Sequence, residues 1–324
     1  MSRDLSVLIM AAGKGTRMRS QTTKVLHRLG GIPLLAHPIH LSQRLEPGRI
    51  VIIFGHQAEQ VKASMEQRFG EDTLRFALQA EQNGTGHAVL CGQEALEGGP
   101  SQVLILSGDV PLLSDETLLK LIQLKDESKA AVALLSFVVE DPTGYGRILR
   151  DDNNAVYQIQ EHRDCTPEQR KVKESNAGIY LVDKDFLFSA LQRVGNQNDQ
   201  GEYYLTDIVA LAAKEGRGVE GLIVEDNMEV AGINDRAQLA ELEVRWLDRL
   251  RQKWMASGVT MRLPHTIQID HDVTIGNDTE LGPNVCLVGK TTIGKGCTIG
   301  AGSYLENAEL PGGTALPPNT IQIG

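Results

Sequence analysis

Leu5-Ser-Val-Leu-Ile-Met10-Ala-Ala-Gly-Lys-Gly-Thr-Arg-Met18 is the stretch on which the fold turns, because an apolar run passes directly into a glycine-rich, basic loop. A short apolar run bounded by turn residues reads as a buried strand. The same signature returns at Ile50-Val-Ile-Ile-Phe54 before Gly55, and at Val103-Leu-Ile-Leu106 before Ser107-Gly108-Asp109. Strands alternating with helical segments predict an α/β architecture with a mostly parallel sheet. Ligands of such sheets gather beyond the carboxyl ends of the strands, so these loops are candidate site walls.

Further along, Gly232-Ile-Asn234 is followed by a segment, Asp235 to Met255, in which Leu239, Leu242, Trp246, Leu250 and Trp254 recur at spacings of three and four. That periodicity predicts an amphipathic helix, placed to link two domains. Beyond Gly258, Ile269, Ile275, Leu281, Leu287, Ile293, Ile299 and Leu305 stand six residues apart. Glycine follows several of them (Gly276, Gly282, Gly294, Gly300), and Val273, Thr279, Val285, Thr291, Cys297 and Ser303 sit four places after each aliphatic. This is the pattern of a hexapeptide β-helix, whose inward aliphatics stack into a continuous core. At about 18 residues per three-sided coil it predicts two to three coils. Pro311-Gly-Gly and Leu316-Pro-Pro318 then break the period and suit a terminal loop or cap. The expected division is residues 1–234, a linker helix over 235–257, and a short β-helix with its tail over 258–324.

The chain of 324 residues is 41% hydrophobic and 23% charged, which suits a folded protein of about two domains. No stretch approaches the roughly 20 apolar residues of a membrane span, and the start carries no cleavable signal pattern, so a cytoplasmic location is expected. Cys91, Cys165, Cys286 and Cys297 are widely spaced and signal neither a disulfide framework nor a zinc site. The formal net charge of -10 argues against a nucleic-acid surface. Residues 1–30 nevertheless hold Arg3, Lys14, Arg17, Arg19, Lys24 and Arg28 against the single acid Asp4. A compact anionic ligand fits that local excess.

In the first loop, backbone N–H groups at the glycine turn can approach phosphate oxygens, while Lys14, Arg17 and Lys24 can neutralise a triphosphate and its transition state. A dinucleotide fingerprint fails because Met18 stands where the third glycine belongs, and a Walker loop fails because Asn284 stands where Gly289-Lys-Thr291 would need glycine. A plain strand-to-helix turn with solvated basic residues is the competing reading of this motif alone.

Several further motifs follow in order: Lys24-Val-Leu-His27, Gln79-Ala-Glu-Gln-Asn-Gly-Thr-Gly-His87, Ser107-Gly-Asp-Val-Pro-Leu112, Asp141-Pro-Thr-Gly-Tyr-Gly-Arg147, Glu161-His162, Asn176-Ala-Gly178, Gly201-Glu-Tyr-Tyr-Leu-Thr-Asp207 and Gly232-Ile-Asn234. Together with the glycine loop they resemble the N-acetylglucosamine-1-phosphate uridylyltransferase family across nearly the whole chain. The resemblance implies a Rossmann-like nucleotidyltransferase domain with a mostly parallel mixed sheet, followed by a linker helix and a short left-handed parallel β-helix. It implies UTP and N-acetylglucosamine 1-phosphate as substrates, UDP-N-acetylglucosamine and pyrophosphate as products, Mg2+ as cofactor, and admits a homotrimer.

Carried over residue by residue, the resemblance makes Met10, Ala11, Ala12, Gly13, Lys24, Gln79, Gly84, Thr85, Ser107, Gly108 and Asp109 the nucleotide site, with Gln79 and the Gly84 backbone at the uracil edge. Asp109 and Asn234 become Mg2+ ligands, and Gly146, Glu161, Asn176 and Asn234 the sugar site. The residues by themselves leave other readings open. Gln79 also reads as a polar strand end, Asp109 and Asn234 or Asp235 as helix caps, Glu161 as a solvated charge and Asn176 as a turn. Tyr145, between Gly144 and Gly146, reads as a wall. His27, His56, His87 and His162 show no metal-ligand spacing and receive no chemistry.

Two positions depart from the family pattern, Thr23 where proline usually precedes the lysine and Ser107 where an aromatic usually precedes Gly-Asp; neither removes a charge or a ligand. The short aliphatic ladder leads to the expectation that acetyl-CoA-dependent transfer, which longer members carry on further coils, is missing. The rival readings are a related pyrophosphorylase using another sugar or nucleotide, and a catalytically silent β-helix assembly module.

Overall fold

The computed structural model describes residues 3–13, 15–55 and 57–324, and the chain divides into two compact units. The first contains residues up to Leu26 and Leu34–Asn234; the second contains His27–Pro33 and Asp235–Gly324.

The first unit is built on a nine-stranded sheet. Its strands are β1 (Arg3–Ala11), β2 (Pro47–Phe54), β3 (Arg75–Leu78), β4 (Gln102–Ser107), β5 (Val132–Val138), β6 (Arg147–Arg150), β7 (Val156–Gln160), β8 (Glu174–Asp183) and β9 (Val219–Ile223). The order is β9-β5-β8-β4-β1-β2-β3, with the β6–β7 pair attached to β8. β1, β2, β3 and β4 run parallel, as do β5 and β9, whereas β8 runs antiparallel to both its neighbours. The reversed β8 therefore starts at the edge where β1 and β4 end, which brings Asn176 to the same rim as Ser107.

Alternation along the strands explains why the sequence shows unbroken apolar runs. Val7, Ile9, Ile50, Ile52, Leu104 and Leu106 enter one core layer, while Leu8, Val51, Ile53, Val103 and Ile105 enter the other. Both faces are covered, so polar alternation would bury unpaired polar groups.

In the second unit a 21-residue helix, Arg236–Ala256, is capped by Asp235, whose carboxylate accepts from the N–H groups of Ala237 and Gln238 at 2.9 Å each. The cap falls to Asp235 and leaves the Asn234 side chain out of it. Leu242 and Leu250 are buried, as the helical stripe requires. The hairpin Arg28–Leu29 and Ile32–Pro33 belongs to this unit, a detour that the division at 234 does not contain. Gly30, at φ +55, lies so close to the helix that a Cβ there would meet the Trp246 ring at 2.3 Å.

The β-helix has three faces of parallel strands, two of them with four strands and one with three. Ile269 pairs with Leu287 and Leu287 with Leu305; Ile275 pairs with Ile293 and Leu281 with Ile299. The stack continues beyond Leu305 through Glu309–Leu310, Ala315–Leu316 and Ile321–Ile323. The reading of the tail as a loop or cap, and of two to three coils, is thus corrected to nearly four. The reason is a single missing residue: Ile293 pairs with Leu310 and Ile299 with Leu316, offsets of 17 in place of 18. Val273, Thr279, Val285, Thr291, Cys297 and Ser303 are all buried, and Ala308 fills the corresponding place after the shortened step. Corners use left-handed residues such as Asp278 (φ +59), Asn284 (φ +58), Gly296 (φ +67) and Asn319 (φ +61), the residue types that adopt this conformation at least cost.

Candidate active site

The loops after β1 and β4 close on each other because the Gly108 N–H donates to the Met10 carbonyl at 2.9 Å. A Cβ at Gly108 would lie 3.1 Å from that carbonyl and from Leu35, so the position has little room for a side chain. Gly15, at φ +58, packs so closely on Lys24 that an added Cβ would meet the lysine Cβ at 2.6 Å. The glycine loop is thereby folded down onto the residue it was expected to act with.

A cleft of about 280 Å³ lies here, and Met10, Ala11, Ala12, Gly13, Lys24, Gln79, Gly84, Thr85, Ser107 and Asp109 all line it. Gly108 supports it through its backbone bond. Val25, Gln82, Ala88 and Glu202 complete the lining and carried no assignment in the sequence. Gln82 and Glu202 lie inside motifs that were singled out, and only their folded position shows their part: the Gln82 amide donates to the Ala12 carbonyl at 2.5 Å. Thr85 uses its hydroxyl within the protein, accepting from the Leu205 N–H at 3.0 Å. Lys14 lies outside the described residues.

Two cationic side chains each meet an oxygen on this rim. Lys24 Nζ is 2.5 Å from Asp109 Oδ2, and Arg17 Nη2 donates to Asn234 Oδ1 at 2.8 Å. Asp109 and the Gly232–Asn234 turn are joined by a bond from the Ile233 N–H to the Asp109 carbonyl, 3.0 Å long. A Cβ on Gly232 would come within 3.7 Å of the Asp109 carboxylate. Two oxygen donors, one anionic and one neutral, therefore stand on segments joined by a backbone bond, and each already attracts a cationic group. Such a set suits a hard divalent cation that completes its shell with water and phosphate oxygens. Asp109 caps no helix; the following one, Asp115–Ser128, is capped by Ser114.

Three of the four sugar candidates, Gly146, Glu161 and Asn176, also come together, while Asn234 is held by Arg17 and Gly232. A Cβ placed on Gly146 would be 3.6 Å from both Glu161 Oε1 and Asn176 Cβ, and the Gly146 carbonyl accepts from the Asn176 N–H at 2.9 Å. Asn176 is held by its own side chain, donating to Tyr180 Oη at 2.6 Å and accepting from the Gly178 N–H at 3.0 Å. One amide N–H and one oxygen lone pair remain for a ligand. A Cβ on Gly178 would be 3.8 Å from Ser107 Oγ, so this group borders the nucleotide cleft.

Glu161 is no solvated charge. Burial lifts its carboxyl above the usual carboxylate range, aided by Asp207, Asp164 and Glu202 and opposed by a 3.0 Å hydrogen bond from the Thr206 hydroxyl. Thr206 opens helix Asp207–Lys214 without capping it, and its side chain serves Glu161. Tyr145 stands edge-on to Phe137 with ring centroids 5.0 Å apart, which fits a wall.

A mixed sheet with a glycine loop, a lysine-acid pair and a cluster of polar groups at one rim has the layout of a nucleotidyltransferase, and the family comparison agrees. Residues 6–255 match the nucleotidyl transferase family and residues 272–307 match the bacterial transferase hexapeptide family of six repeats. The chain belongs to the nucleotidyl transferase family and is an enzyme of that class. Among individual relatives it is 44% identical over 95% of its length to the bifunctional protein GlmU of Geobacter metallireducens, spanning 64% of that protein. It is 42% identical over 99% of its length to the protein of that name from Syntrophotalea carbinolica, spanning 68% of it. The fold is shared with a crystal structure provisionally described as a glucose-1-phosphate thymidylyltransferase from Bacillus anthracis, in complex with a sucrose. The TM-score is 0.60 at 20% identity, over 74% of this chain and 94% of the other. Among the described residues no helix is long and apolar enough to cross a membrane.

Proposed function

We propose that the chain transfers UMP from UTP to N-acetylglucosamine 1-phosphate, with Mg2+, giving UDP-N-acetylglucosamine and pyrophosphate. The observation that carries this reading is the meeting at one rim of the cleft between Met10 and Asp109 with the Gly146, Glu161 and Asn176 group. In this reading Gln79 and the Gly84 backbone hold the uracil, and the loops from Met10 to Gly13 and from Ser107 to Asp109 hold the phosphates. Glu161, Asn176 and the Gly146 backbone hold the sugar, with Asn234 at its phosphate side.

Asp109 and Asn234 would hold Mg2+, which when bound supplies positive charge to phosphate oxygens at the reacting centre. Arg17 and Lys24, joined by Lys14, stabilise charge that builds up around the α-phosphorus and on the departing pyrophosphate. The attacking sugar-phosphate oxygen is already ionised at neutral pH, so the protein's task is to align it opposite the leaving group, and it needs no general base. We place the reaction in the cytoplasm and read the β-helix as the element through which three copies assemble.

The test is pyrophosphate release across a matrix of nucleoside triphosphates and sugar 1-phosphates, with and without a chelator. Release with UTP and N-acetylglucosamine 1-phosphate that stops on chelation and returns with Mg2+ is expected. Preference for dTTP with glucose 1-phosphate would overturn the reading.

A further inference from the structure

His87 touches the residue that the proposed function sets against the uracil. Gln79 is 4% exposed, and its amide nitrogen lies 3.0 Å from the Gly84 carbonyl and 3.3 Å from Nδ1 of His87. A carbonyl only accepts, so the amide edge turned toward Gly84 must be the NH2 edge. That nitrogen has two hydrogens and no lone pair to share, which makes Nδ1 of His87 its second acceptor. The imidazole proton then belongs on Nε2, which faces Cys91 Sγ at 3.8 Å, one turn further along helix Thr85–Cys91. Burial pushes the Cys91 thiol up, so the sulfur remains a neutral partner for that N–H. With both amide hydrogens engaged, Oε1 is the atom of the Gln79 amide left for a ligand.

We propose that His87 is a positioning residue that holds the Gln79 amide oxygen outward and so makes the base pocket select uracil over cytosine. Uracil brings an N3–H donor to that oxygen, whereas cytosine brings a bare N3 lone pair to the same place. An amide held by two acceptors keeps this preference more firmly than one held by Gly84 alone, because a flip then breaks two hydrogen bonds. The inference rests on the uridine reading of the cleft.

The experiment compares kcat/KM for UTP and CTP, with N-acetylglucosamine 1-phosphate as acceptor, in wild type, His87→Phe and His87→Asn. His87→Phe keeps a ring and removes the acceptor; the UTP-to-CTP ratio is expected to fall about tenfold while the KM for the sugar phosphate stays put. His87→Asn places an amide oxygen near the position of Nδ1 and is expected to restore the ratio. An unchanged ratio in His87→Phe overturns the proposal even if total activity drops. Nitrogen-15 NMR of the wild type gives a reading free of variants: the Nε2–H tautomer of His87 is expected, and the Nδ1–H tautomer overturns it. A wild type that prefers a base other than uracil defeats the functional reading itself, an outcome separate from a wild-type uridylyltransferase whose selectivity ignores His87.

Discussion

The ammonium of Lys24 stands 2.5 Å from Oδ2 of Asp109 in a pair largely shielded from solvent. The pair ties the Lys24–Leu26 turn, on which the glycine loop packs, to the carboxyl end of β4 through side chains that the proposed reaction uses separately. Asp109→Ala is expected to lower turnover at least about a hundredfold, since it removes the anionic donor of the cation site. The fold should persist, because one carboxylate at a cleft rim contributes little to the core. Circular dichroism and pyrophosphate release at ordinary Mg2+ check this, and an active Asp109→Ala enzyme would sink the assignment.

Arg17→Ala and Lys24→Ala are expected to depress kcat about a hundredfold or more and to change the KM for the sugar phosphate much less, because their charge matters most when charge accumulates at the α-phosphorus. Steady-state kinetics with both substrates varied separates the two effects. A change confined to the sugar KM would make the cluster a recruiting patch.

Glu161 couples stability to pH with an inverted sign for a carboxylate. Its folded pKa is raised, first by burial, so between its unfolded and folded pKa values the native state binds the extra proton. The neutral form is the one the fold favours, and its stabilisation is full below the unfolded pKa, near the ordinary glutamate value of 4.5, and lost as pH rises through the folded pKa. Glu161→Gln should therefore melt higher than wild type at pH 8, lose that advantage toward pH 4, and lose sugar transfer. Paired thermal melts at the two pH values decide it; a Glu161→Gln protein no more stable than wild type at pH 8 would refute the buried-acid account.

Gly276 has no room for a methyl group, since its Cβ would meet the Lys295 nitrogen at 2.5 Å and the Gly294 carbonyl carbon at 2.7 Å. Gly276→Ala is expected to destabilise the β-helix by about 1–3 kcal/mol, the usual cost of overpacking. Gly195→Ala, with nothing within 4 Å of its Cβ, is the control and should be neutral or slightly stabilising. Chemical denaturation of the two variants makes the comparison; equal midpoints would show that neighbouring coils yield more easily than their backbone spacing implies.

The strands β1, β2 and β4 were legible because burial on both faces writes an unbroken apolar run, and the Arg236–Ala256 helix because one buried stripe writes a period near 3.6. Reversal of β8 was not, since strand direction depends on a partner and leaves no local mark. The same holds for the site. The family resemblance singles out Asp109, Glu161 and Asn176, but Thr206 bonds Glu161 across 45 positions and Gln82 reaches Ala12 across 70, contacts that only the closed fold creates. His87 carries no metal-ligand spacing, and the partner it does have is a neutral amide that no spacing in the sequence marks.

The shortened step between Leu305 and Leu310 behaves like a slip of reading frame. The strict six-residue ladder ends at Leu305, while rungs of the prism continue to Ile323. The slip falls at the corner occupied by Asn307, at φ +50, whose side-chain oxygen accepts from the Lys290 N–H at 3.0 Å. Strand alignment on either side survives because it is set by which aliphatic lies above which, and not by how many residues separate them. Corners are accordingly the splice points of such a solenoid: foreign residues inserted beside Asn307 would lengthen a bulge on the outside and leave the ladder in phase, whereas the same residues inserted within Cys286–Val288 would put every later rung out of step.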